Sequence, residues 1–193
     1  MGLILLITSV VFYISLGFFL KHSKNNLHAQ LSSTTMAVAG TLYLGMGIAV
    51  IQEIDISLRL IRYLDWFITV PIMVYQMFLF LHERKKISNY FGAILCVVGM
   101  LTAGLLGEYG VWNKTYLGVI GILLAFYTFI VMCNDIKKED YKFFTTVLVL
   151  WLFYPIVYYM PESIYTIVGY SIVDVLAKVG SSLYVKNKNK TYV

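Results

Sequence analysis

Charge is what this sequence has least of. Only 13% of its 193 residues are Asp, Glu, Lys or Arg, against roughly 25% in a soluble domain. With 60% apolar residues, too little polar surface remains to coat a water-soluble body. Proline is scarce too, three residues in all, so long helices meet few interruptions. The two cysteines, Cys96 and Cys133, lie in apolar runs and read as small hydrophobes, not as a disulfide. Strand-like alternation, a fixed-period repeat and a composition break are all missing. These absences argue against a soluble enzyme, a barrel or a multidomain protein.

What the chain has instead is long apolar runs. A helix needs about 20 residues to cross a bilayer, and backbone groups in hydrocarbon must be satisfied within the helix. Seven such runs are legible, at about 2–21, 29–51, 56–81, 88–107, 114–133, 143–160 and 164–185. The reading is an all-α membrane protein, a single seven-transmembrane-helix bundle over 1–193 with a short basic tail at 186–193. The opening MGLILLITSV lacks a basic n-region and a cleavage site, so it reads as the first span, not a secretory signal. Leu6 stands where a myristoylation motif wants Ser or Thr.

Eleven of the 15 basic residues (Lys21, Lys24, Arg84, Lys85, Lys86, Lys137, Lys138, Lys142, Lys186, Lys188 and Lys190) fall in the odd-numbered connections or the tail. Glu53, Asp55, Glu108 and Glu162 fall at the other end. The positive-inside rule then makes the N-terminus extracellular and the C-terminus cytoplasmic. The net charge of +5 is accordingly topology and not nucleic-acid binding. The expected setting is a multi-pass protein of a cell membrane or host membrane, with the lipid bilayer as partner. His22, His28 and His82 read as solvated histidines at helix ends.

Setting aside the span ends, only four charged residues remain within the spans: Arg62, Asp65, Asp174 and Lys178. Arg62 and Asp65 are i,i+3 and Asp174 and Lys178 are i,i+4, so each pair shares a helix face. Their charges sum to zero, and ionisable groups at this depth are functional by default. Two ion pairs locking helices three and seven are the structural alternative, a weak stabiliser compared with apolar packing. Thr69, one turn beyond Asp65, is placed to donate its hydroxyl to that carboxylate. Gln76 follows Asp65 by three turns, roughly 16 Å along the helix. Trp151, Tyr154 and Tyr158 are spaced i, i+3, i+7, giving helix six an aromatic face beside Pro155. Trp66 and Tyr43 add to this aromatic set, which fits a ligand box as well as packing.

The runs RYLDWFITVP, DVLAKVG and WLFYP resemble the diagnostic segments of the microbial (type 1) rhodopsins, the bacteriorhodopsin-like family, which includes short viral members. The resemblance implies all-trans retinal bound covalently to Lys178 as a Schiff base. It implies Asp65 as proton acceptor and counter-ion, Asp174 as second counter-ion and Arg62 as their outward balance. Tyr43 and Tyr154 would bond Asp174, and Thr69 would tune Asp65. Trp66, Trp151, Tyr154, Pro155 and Tyr158 would enclose the polyene, with Met100 and Gly104 near its ring; the family more often has Trp at the position of Tyr158. Met73 matches a colour-tuning position and implies green absorption. The helix-five wall is not assigned, and no metal is expected.

By resemblance, Asp65, Thr69 and Gln76 occupy the positions from which ion selectivity is read, and Asp at the first favours protons. Gln76 stands at the donor position without a proton to give, and Thr166 where a release carboxylate is expected, leaving Glu162 as the release candidate. The expected function is a light-driven outward proton pump, not an enzyme, assembled as a homo-oligomer (trimer or pentamer). The alternatives are a sensory photoreceptor with a slow photocycle and a light-gated cation channel.

Overall fold

The computed structural model describes residues 1–24, 26–82, 87–133, 136, 140–161 and 163–188, without the side chains of 82 and 87–89. Among them are seven helices long and apolar enough to cross a membrane: α1 (Gly2–Leu20), α2 (Leu27–Ile51), α3 (Leu58–His82), α4 (Ile87–Glu108), α5 (Lys114–Cys133), α6 (Tyr141–Tyr159) and α7 (Ile164–Asn187). The observed ends differ from the expected ones by two residues at most, because caps rather than hydropathy set them. Asn26 Oδ1 accepts from Ala29 N at 3.1 Å, Ser57 Oγ from Leu60 N at 3.2 Å, and Asn113 Oδ1 from Thr115 N at 2.9 Å. Each supplies an acceptor to a first-turn amide that has no intrahelical partner. Pro161 follows the end of α6, where a missing N–H costs nothing. Gly110 turns the chain toward α5 at φ +67, a conformation that side-chain-bearing residues rarely adopt.

Consecutive helices are antiparallel neighbours, and α7 returns to pack on α1, α2 and α6. Two buried clusters result. The larger runs through α3 to α7, around Trp66, Val74, Phe80, Val97, Phe129, Phe143 and Trp151. The smaller joins α1, α2 and α7 through Leu5, Phe12, Met36, Ala39, Tyr43 and Ile167. Lipid is as apolar as leucine, so helices associate by close packing, and small residues allow the approach. At the α1–α2 contact Ser9 Oγ donates to Gly40 O at 2.8 Å, and a Cβ on Gly47 would lie 2.6 Å from Leu6 Cδ2.

One irregularity was not foreseen. Leu176–Gly180 of α7 form a single π-helical turn with Lys178 at its centre. The Ser181 hydroxyl donates to Ala177 O at 2.5 Å and to Lys178 O at 3.3 Å, covering carbonyls of the widened turn. Such turns are often found at functional positions.

Candidate functional site

The four spans-only charges converge where α3 and α7 meet. Asp65, Asp174 and Lys178 are fully buried. The Lys178 ammonium pairs with Asp65 Oδ2, and with Asp174 Oδ2 at 3.3 Å. Helical spacing placed Lys178 beside Asp174; only packing brings in Asp65, 113 residues away in sequence.

The two carboxylates are held differently. Asp174 accepts from Tyr43 Oη at 2.7 Å, from Tyr154 Oη at 2.5 Å and from Trp66 Nε1 at 3.1 and 3.2 Å. With Lys178, four donors from α2, α3, α6 and α7 surround it. Asp65 receives Lys178 on its Oδ2, and its Oδ1 is buried with no hydrogen-bond donor within bonding distance among the described residues. Hydrogen bonds to a carboxylate favour its charged form. Asp174 has its oxygens filled by donors, while Asp65 keeps one oxygen open.

The Thr69 hydroxyl donates to the Asp65 backbone carbonyl at 2.8 Å, the back-bond a mid-helix threonine makes to its i−4 carbonyl, and it also reaches toward the Asp65 carboxyl. Arg62 forms no ion pair with Asp65 or Asp174 among the described residues; its guanidinium lies over the Tyr170 ring, 4.4 Å from the centroid. On the other side Gln76 Nε2 donates to Ser32 Oγ at 2.8 Å and to His28 O at 3.2 Å. His28 itself is buried in α2, beside Phe80, and not solvated as expected. Glu162 lies outside the described residues.

Next to the charges is a cavity of about 110 Å³. Trp66 and Met73 of α3, Met100 and Gly104 of α4, and Trp151, Tyr154, Pro155 and Tyr158 of α6 line it, as expected from the sequence. Tyr43 does not reach it and serves Asp174 instead. The α5 wall, unassigned before, is Gly118, Gly121, Ile122 and Ala125. Three small residues at i, i+3 and i+7 were the available signal. Tyr63 and Tyr170 also line the cavity and went unnoticed. Trp66 and Tyr154 both wall the cavity and bond Asp174, so the apolar cavity and the buried amine are separated by the side chains that the two share. The residues fit a lysine-linked retinal: a buried primary amine, two balancing acids, and aromatic walls whose glycines leave room, since a Cβ on Gly104 would come 2.7 Å from Tyr63 Oη.

Fold and site together define a multi-pass integral membrane protein with a lysine buried between two carboxylates. Residues 1–189 match the family model of bacteriorhodopsin-like proteins. The chain belongs to that family, whose members bind retinal and are mainly photoreceptors and transporters. No curated protein matches by sequence. Among solved structures it is similar to Exiguobacterium sibiricum rhodopsin (21% identity, TM-score 0.86, covering 98% of this chain and 95% of that one). It is also similar to the light-driven proton pump Coccomyxa subellipsoidea rhodopsin CsR (17%, 0.84, 97% and 96%) and to viral rhodopsin OLPVRII (24%, 0.78, 97% and 100%). These likenesses establish the fold.

Proposed function

We propose that this protein is a light-driven outward proton pump, with Lys178 holding all-trans retinal as an imine and Asp65 receiving its proton. The observation that carries the reading is the inequality of the two acids. Asp174, with four donors, is the fixed partner of a positive nitrogen. Asp65, whose Oδ2 meets that nitrogen and whose Oδ1 has no donor among the described residues, takes the proton. Retinal, when bound, supplies absorption of visible light and a change of shape that redirects the proton-bearing nitrogen. The amine and the Asp65 carboxylate are in direct contact, so the proton that one loses the other can gain without an intermediary. Trp66, Trp151 and Tyr154 keep bulk water from the amine, leaving the proton no nearer acceptor. The basic residues on the odd-numbered connections support a Met1 end that faces outside, and on that reading transfer toward Arg62 is outward.

A suspension of cells expressing the protein with retinal should acidify its medium in light, and a protonophore should abolish the change. A normal pigment with no acidification overturns pumping.

One observation favours a second reading, a sensor with a slow cycle. Gln76 has its amide committed to Ser32 and His28, and an amide has no carboxyl proton to return to Lys178. Flash photolysis separates the two: recovery in tens of milliseconds supports a pump, whereas a deprotonated state lasting seconds supports a sensor.

A further inference from the structure

A proton leaving Asp65 toward the Met1 end meets a second charged cluster, centred on Glu108. This residue closes α4, and its side chain is only 9% exposed. Arg59 Nε lies 3.4 Å from Glu108 Oε2, and Arg59 Nη1 donates to Glu108 O at 2.6 Å. From α7 the Tyr170 hydroxyl donates to Glu108 Oε1 at 3.4 Å. The ring of that same tyrosine carries the Arg62 guanidinium and packs on Trp66 at 5.1 Å and Tyr154 at 6.4 Å between centroids. Trp66 and Tyr154 in turn hold Asp174. An unbroken set of contacts thus joins the core acids to Glu108. The charged and titratable groups facing Glu108 come from four helices: Arg59, Arg62 and Tyr63 of α3, Lys114 of α5, Tyr158 of α6 and Tyr170 of α7.

A carboxylate buried among cations is a poor way to join helices, since apolar residues of similar size do as well or better. Its placement suits proton transfer. Arg62 is one helical turn from Asp65 and lies on the tyrosine that touches Glu108, so its charge bears on both acids. A proton on one acid changes what Arg62 contributes to the other.

We propose that Glu108 is the carboxylate through which the proton taken up by Asp65 passes on its way out, with Arg62 and Tyr170 as the positioning residues between them. This rests on the pump reading. The proton leaves the Asp65 carboxyl, resides on a Glu108 oxygen, and passes to bulk water; no other bond changes. The role expected for Glu162 of the α6–α7 connection falls instead to α4.

The test uses the purified retinal-bound protein in weakly buffered detergent solution with a pH-indicating dye. After a flash, wild type should acidify the solution during the photocycle. In Glu108→Gln, transfer from the nitrogen to Asp65, read as the rise of the blue-shifted state, should keep its wild-type rate. Appearance of the proton in solution should be delayed by about tenfold or more. Glu108→Asp should restore early release, and Tyr170→Phe should slow it without abolishing it. In the dark, the acid-induced colour change that reports Asp65 should be displaced in Glu108→Gln, because coupling between two sites is reciprocal. Wild-type release timing in Glu108→Gln, or an undisplaced dark titration, overturns the assignment while leaving the pump intact. If Glu108→Gln does not form pigment, the Glu108→Asp and Tyr170→Phe release times decide, and unchanged release in Tyr170→Phe counts against the route. A wild type that releases no proton at all overturns the pump reading, and Glu108's role falls with it.

Discussion

At the scale of single residues, the site is an argument about donors. Lys178→Ala removes the amine and should give a colourless protein after incubation with retinal, checked by absorption spectroscopy. Asp65→Asn removes the negative charge nearest the nitrogen and should shift the visible band to the red while leaving the pigment formed; an unmoved band means Asp65 is not the counter-ion. The inequality of the acids has its own consequence. Asp174→Ala strands the hydroxyls of Tyr43 and Tyr154 and the indole N–H of Trp66, each at a cost of about 1–3 kcal/mol. Asp65→Ala strands none of these. Thermal unfolding of the retinal-free variants should therefore show the larger loss for Asp174→Ala, and equal losses contradict the assignment of roles.

At the scale of elements, the α1–α2 contact depends on a glycine that touches and tolerates a change at one that does not. A Cβ on Gly47 meets Leu6 at its side chain and, 3.2 Å away, at its backbone nitrogen, which cannot yield like a side-chain end. Gly47→Ala should cost about 1–3 kcal/mol, whereas Gly45→Ala, with nothing within 4 Å of the added atom, should be silent. Thermal loss of colour in detergent measures both.

The sequence made the elements legible because hydropathy reports directly on membrane crossing, and the span ends differ by no more than two residues, as at α2 and α3 where Asn26 and Ser57 cap the first turn. The π turn at Leu176–Gly180 was invisible, since the residues of DVLAKVG are ordinary helix formers. Partners across helices were less legible. Periodicity says that Asp174 and Lys178 share a face, but not that Asp65 lies opposite, and it gave no hint that Arg62 would stack on Tyr170 or that Glu108 would gather cations and tyrosines from four helices.

At the scale of the whole molecule, charge is sorted by depth. In the sequence the basic residues gather in the odd-numbered connections and the tail, the core quartet sums to zero, and among the described residues acidic and cationic groups meet again around Glu108. Such a gradient gives a proton a direction once the lysine can lose one. The proposed orientation predicts that a tag appended to the C-terminus is reached only in permeabilised cells; labelling of intact cells reverses the direction of any pumping.

All of this depends on one amine. Purified protein freed of retinal, incubated in the dark with all-trans retinal, should develop a visible absorption band that acid-denatured protein and Lys178→Ala do not form. If the mixture keeps only the near-ultraviolet absorption of the free aldehyde, or if Lys178→Ala colours as the wild type does, the account is contradicted at its centre.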